Sequence, residues 1–132
     1  MLDLKYIAGL FDGEGTIFSI NTNKLPSDII FSIRVKIVNR NKKVLEEIKN
    51  EFGGIINLNP NKKPCYELVF RKKEAELFLL SIKEYLFIKK ELAEIALEFY
   101  RVQKSGRNRP LTKEQHDERY SLCKKITELN KL

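Results

Sequence analysis

Between Ile29 and Val38 the chain alternates apolar and polar residues: Phe31, Ile33, Val35 and Ile37 fall on one face, Ser32, Arg34 and Lys36 on the other. A period of two with one apolar side dictates a half-buried strand, because successive side chains point to opposite faces of a pleated backbone. The face left toward solvent is cationic. A sheet built on such a strand has one apolar side to cover, so helices belong on that side alone.

The rest of the chain supplies them. Asp3–Asp12 reads as a short helix running into Gly13-Glu14-Gly15, a helix-stopping sequence. Thr16–Asn23 is rich in β-branched and aromatic residues and reads as a strand, and Asn23–Asp28, with Pro26, is turn chemistry. Asn41–Phe52 places Val44, Leu45, Ile48 and Phe52 at helical spacing, with Asn41 as N-cap and Gly53-Gly54 as the stop. Ile55–Asn59 and Tyr66–Phe70 are two further strands about a turn-rich Pro60–Pro64. Glu74–Leu86 and Ile88–Arg101 carry helical apolar stripes, and Lys104–Pro110 is a basic loop. Thr112 with Gln115 makes a capping box for a last helix reaching about Leu129. The order αββαββααα predicts an α+β fold in which a four-stranded antiparallel sheet carries helices on one face.

A length of 132 residues suits one domain, with a core over residues 1–100 and a basic loop and C-terminal helix over 101–132. No apolar run approaches the ~18 residues of a membrane span. The N-terminus, with Asp3 early, does not read as a secretion signal, so a cytoplasmic, nucleoid-associated or organellar location is expected. Cys65 and Cys123 sit in no metal-ligand spacing, and His116, the single histidine, excludes sites built on several imidazoles. The net charge of +7 is uneven. Residues 1–60 hold 8 basic and 7 acidic side chains, residues 61–132 hold 17 and 11. Such asymmetry points to a polyanionic partner.

One string carries chemistry: Tyr6-Ile7-Ala8-Gly9-Leu10-Phe11-Asp12-Gly13-Glu14-Gly15. Ala8, Gly9 and Gly13 are small residues that let a second backbone approach a helix closely. Glycine inside a helix costs roughly 0.5–1 kcal/mol relative to alanine and so needs a packing reason. Glu14 stands at the helix C-terminus, where the dipole disfavours a carboxylate unless a cation neutralises it. Position by position the string resembles the signature of LAGLIDADG homing endonucleases: Ala8-Gly9-Leu10, Asp12, then Glu14-Gly15 where that family has an acid followed by glycine. The αββαββα order is similar to that family's core as well.

The resemblance implies a homodimer, since a single motif is present, with Ala8, Gly9, Asp12 and Gly13 at the interface between paired motif helices. It implies that Glu14, with the Gly13 carbonyl, binds Mg²⁺ (Mn²⁺ or Ca²⁺ substituting in binding) for hydrolysis of a phosphodiester in double-stranded DNA, not of a small molecule. Lys89 corresponds to a basic residue reaching the hydrolytic water, with Lys90 as competitor, and Asn39 to a polar residue that positions solvent. His116 is expected on the exposed side of the last helix. The open sheet face then reads a long, roughly palindromic site, the gene being intron-borne. Ser32, Arg34 and Lys36 are the prime contacts, with Lys24, Glu67 and Arg71 beside them. The first strand stays open on pattern alone, Thr16, Phe18, Ile20 and Thr22 forming one face and Ile17, Ser19, Asn21 and Asn23 the other. The family register favours the Thr16 face as the reading one. Arg107 and Arg109 are expected to clamp phosphates. A different class, a non-cutting nucleic-acid-binding protein such as a maturase or regulator, shares the scaffold. The acid at position 14 favours the nuclease.

Overall fold

The computed structural model of the chain describes residues 2–22, 30–59, 64–105 and 112–131. In chain order these form α1 (Leu4–Glu14), β1 (Gly15–Thr22), β2 (Ile30–Asn39), α2 (Lys42–Phe52), β3 (Ile55–Asn59), β4 (Cys65–Phe70), α3 (Lys72–Ile82), a 3-10 turn (Lys83–Tyr85), α4 (Lys90–Ser105) and α5 (Lys113–Leu129). The four strands make one sheet in the order β1-β2-β4-β3, every neighbour antiparallel. This is the expected α+β architecture, with the helices packed on one side.

The core fills the space between that side and the helices. Ile17, Ile33, Val35, Ile37, Leu68 and Phe70 point into it from the strands, and Ile7, Phe11, Leu45, Ile48, Phe78 and Phe99 meet them from the helices. Phe78 is the hub. Its ring stacks on Phe70 at 4.3 Å between centroids and takes Phe11 and Phe52 edge-on at 5.5 and 5.2 Å, arrangements that suit the charge distribution of aromatic rings. β2 outruns β4, whose pairing begins only at Val35. The Ile33 carbonyl just before that point is satisfied by the buried Tyr100 hydroxyl, which donates to it at 3.0 Å. That burial raises the Tyr100 pKa far above the ordinary phenol range.

Caps explain the boundaries. Asn41 Oδ1 accepts the Val44 N–H, and Thr112 and Gln115 cap each other's backbone N–H as the capping box requires. Gly53 and Gly54 end α2 with φ of 84° and 102°, a region that side chains disfavour. The Glu74 carboxylate then binds both the Gly54 N–H and the Arg71 N–H at 3.1 Å, fastening the start of α3 to that turn. The apolar stripe predicts a third helix over Glu74–Leu86. The helix instead starts at Lys72 and gives way at Lys83 to the 3-10 turn.

Candidate functional site

α1 begins under an Asp3 cap, whose carboxylate accepts the Lys5 N–H at 2.7 Å. It runs through Glu14, past the Asp12 end that the glycines predict. There is no loop after it: the Gly15 N–H still donates to the Phe11 carbonyl, and Gly15 is already the first residue of β1. A Cβ at Gly15 would run into the Phe11 ring, so this is the glycine demanded by close approach within the chain. Glu14 is therefore fixed at the junction of a helix and a strand. Its side chain is exposed, at the negative end of the helix.

The small residues of α1 divide between two faces. Successive helical residues are about 100° apart. Gly9 and Gly13 lie outward with no described atom within 4 Å of an added Cβ, whereas Ala8 is fully buried in the protomer's own core. The expectation that Ala8 shares the outward face is thus corrected. Asp12, expected at the same interface, finds its hydrogen-bond partners within its own chain. Its Oδ2 accepts the Phe87 N–H at 2.8 Å and its Oδ1 the Lys89 N–H at 3.0 Å. Lys89 is the residue whose carbonyl takes the first α4 hydrogen bond, from the Ala93 N–H. Asp12 thereby caps α4, a carboxylate at the positive end of a helix. The same contact explains why α4 starts at Lys90 and not at Ile88.

Lys89 completes the arrangement from its other end. Its ammonium donates to the Asp12 carbonyl at 2.5 Å, so backbone and side chain of Lys89 both grip one residue of α1. A cation is thereby held on the last turn of the helix that ends in Glu14. Lys90, the competitor, is exposed on the first turn of α4. Asn39 closes β2, and the pairing of Gly15 with Ile37 brings that end of β2 level with the end of α1. The Asn39 Oδ1 accepts the Asn41 N–H at 2.8 Å, turning the chain into α2.

Strand pairing settles which face of β1 is open. Thr16, Phe18 and Ile20 stand directly opposite Lys36, Arg34 and Ser32, and opposed residues of antiparallel strands share a face. Ile17 is buried, while the Ser19 hydroxyl meets Thr127 of α5 at 2.8 Å, so the Ile17 face belongs to the helices. Thr22 follows in register with Ile30. Glu67 of β4 lies on the open face and forms an ion pair with Lys36 at 3.5 Å. Ser32, Arg34, Asn57, Val69 and Arg71 line a groove of about 740 Å³ across its far end. Lys24, Arg107 and Arg109 lie outside the described residues. His116, expected exposed, is half-buried in α5.

Exposed apolar side chains gather beside α1. Tyr6 is 55% exposed on the helix itself, and Phe87 and Ile88, next to the Asp12 cap, are 91% and 71% exposed. Among the described residues no three His, Cys, Asp or Glu side chains cluster to hold a metal. Near the end of α1, the donors one protomer offers are the Glu14 carboxylate and the helix's terminal carbonyls. Both are hard oxygen donors, the kind that Mg²⁺ and Ca²⁺ prefer.

A family model described as LAGLIDADG endonuclease matches residues 7–102. Among solved structures, the chain is similar to the archaeal intron-encoded homing endonuclease I-Vdi141I complexed with DNA, with TM-score 0.82 at 20% identity over 96% of this chain and 82% of that one. It is similar to I-CvuI in complex with its target in the presence of calcium, with TM-score 0.76 at 16% identity over 96% and 80% of the two chains. It also resembles I-SmaMI bound to uncleaved DNA with calcium ions, with TM-score 0.77 at 16% identity, covering 97% of this chain but 46% of that one. No curated protein matches the sequence.

Proposed function

The chain belongs to the LAGLIDADG endonuclease family, and on that premise we propose that it cuts both strands of a long, roughly palindromic DNA site as a homodimer with a divalent cation, in the service of intron homing. The observation that carries the reading is the junction of α1 and β1. There an exposed carboxylate, Glu14, follows by two residues the Asp12 carbonyl that holds the Lys89 ammonium, at the end of an open, cationic sheet face. A protein that only bound DNA would gain nothing from a carboxylate beside phosphates.

The chemistry divides among this chain's residues. Glu14, with the Gly13 carbonyl, would hold Mg²⁺, and a divalent cation there supplies charge stabilisation at phosphorus and a lowered pKa for water. Lys89, pinned to the Asp12 carbonyl, holds positive charge where negative charge develops as water adds to phosphorus and the P–O3′ bond breaks. Asn39, at the same end of the sheet, positions solvent. Ser32, Arg34 and Lys36, with Thr16, Phe18 and Ile20 opposite, meet the base edges, and Arg71 at the rim of the groove meets phosphate. Ten strand residues at ~3.3 Å each track about 30 Å of duplex, so two protomers suit a site of roughly twenty base pairs.

Dimerisation is supported by the outward glycines. Gly9 and Gly13 have room around them that a second α1 would fill, and Tyr6, Phe87 and Ile88 supply apolar area beside it. I-SmaMI, of which this chain spans less than half, has length enough for two copies of the fold in one chain.

Glu14→Gln tests the reading. With Mg²⁺ and duplexes selected for binding, cutting should fall at least about a hundredfold while DNA affinity and melting temperature persist. Unchanged cutting overturns the assignment of Glu14. Sedimentation showing one copy of the chain per cognate duplex overturns the homodimer.

A further inference from the structure

Glu67 is the acidic side chain on the open face of the sheet among the described residues, and its partners all belong to that face. Its Oε1 lies 3.5 Å from Lys36 Nζ and accepts from Asn59 Nδ2 at 3.4 Å. The Lys36 ammonium in turn sits 5.4 Å from the centre of the Phe18 ring. The four residues come from the four strands in sheet order, β1, β2, β4 and β3. From β1 to β3 the surface thus presents an apolar ring, a donor, an acceptor and a donor.

Such a row is ill suited to backbone binding. A carboxylate facing a polyanion costs affinity, and its pairing with Lys36 cancels the attraction of that lysine for phosphate. It does suit a base-pair edge. Viewed in the major groove from the thymine side, a T·A pair shows the C5 methyl, the O4 acceptor, the adenine N6 donor and the N7 acceptor. Taken in order, each has its chemical complement in the row. The O4 and N6 are themselves hydrogen-bonded, hence about 3 Å apart, a spacing close to that of the Lys36 and Glu67 heads. The other pairs fail at named places. C·G sets the N4 donor against Lys36 and the O6 acceptor against Glu67, G·C leaves no methyl for Phe18, and A·T reverses the order.

Resting on the reading of this face as the one that meets DNA, we infer that Phe18, Lys36, Glu67 and Asn59 act as one specificity-determining unit selecting a T·A pair with its thymine toward β1. Glu67 both accepts from the adenine and orients its two neighbours.

The test is selection of bound sequences from long randomised duplexes, using the full chain at fixed salt and without divalent metal. The unaltered protein should enrich T·A at one position of each half-site by at least about fivefold. Glu67→Gln should erase that enrichment and leave the other positions as they were. Lys36→Glu combined with Glu67→Lys presents apolar, acceptor, donor, donor, the complement of C·G, and should shift that position to C·G. Enrichment retained elsewhere reports that both variants are folded. A T·A preference unchanged in both variants, or no T·A position in a protein that selects others, overturns the inference and leaves the endonuclease reading standing. A protein that enriches no position at all overturns that reading too.

Discussion

On the helix side of the sheet, Ile17, Val35, Ile37 and Leu68 are fully buried, with Ile33 and Phe70 at 3%. On the opposite side of the same strands, Thr16, Phe18, Ile20 and Lys36 are half-covered and Arg34 is exposed, with no layer packed over them among the described residues. One backbone ladder serves both, so neighbouring residues along a strand answer to different demands. Those turned inward are held by packing, where a missing methylene is felt. Those turned outward can change with little effect on the fold, which leaves them open to tuning by a ligand. The end of α1 shares both characters, a buried face anchoring an exposed acid.

Substitutions that separate folding from DNA chemistry sharpen this contrast. The largest effect is expected at Glu14, where Gln should abolish cutting and leave thermal unfolding unchanged. Phe78→Ala removes the ring that three other aromatics pack against and should cost about 3–5 kcal/mol in denaturant unfolding. Asp12→Ala strips the cap from α4 and the clamp from the Lys89 backbone. A stability loss of about 0.5–2 kcal/mol is expected, with a lower cutting rate because the Lys89 backbone is no longer held against α1, even though the carbonyl that takes its ammonium remains. A rate unchanged at that stability cost would show that the Asp12 carboxylate is not needed to position Lys89. Arg34→Ala should alter stability by less than about 0.5 kcal/mol and weaken DNA binding by about 1–3 kcal/mol. A melting point depressed like that of Phe78→Ala would break the division between the faces.

The smallest effect is a pH dependence from Cys123. Burial raises its thiol to about 11. The unfolded chain loses that proton first, near pH 9, so unfolding releases protons and stability should decline between about 9 and 11. Cys123→Ala should make the decline of urea midpoints across that range shallower, the buried Tyr100 accounting for part of what remains. Below it, iodoacetamide should reach the half-exposed Cys65 well before Cys123.

What could be read from the sequence was local. Asn41 and Gly53 bound α2 as their chemistry dictates, Thr112 and Gln115 start α5, and the alternation through Ile33, Val35 and Ile37 sorts the faces of β2. The illegible parts depend on contacts remote in the chain. Ile17 and Phe18 are both apolar, so pattern could not orient β1. The pairing of Phe18 with Arg34 does. Asp12 meets Phe87 and Lys89, 75 and 77 residues away, and no local signal announces a helix cap supplied from that distance. That contact seats Lys89 against α1 and leaves its competitor Lys90 exposed, a difference in placement that no local pattern announces. Ala8 was misplaced for a simpler reason: small size suits a crowded core as well as a close helix crossing, and only the rotation between positions 8 and 9 tells them apart.

The grip of Lys89 on Asp12 closes within a single polypeptide. Each copy of the chain therefore carries the Lys89 ammonium already seated at the end of its own α1, with no loan from a mate. Two copies whose outward strands had been retuned to unlike sequences, co-expressed or fused end to end, would each keep that seat unchanged. Redesign for asymmetric targets then becomes a matter of the reading surface alone.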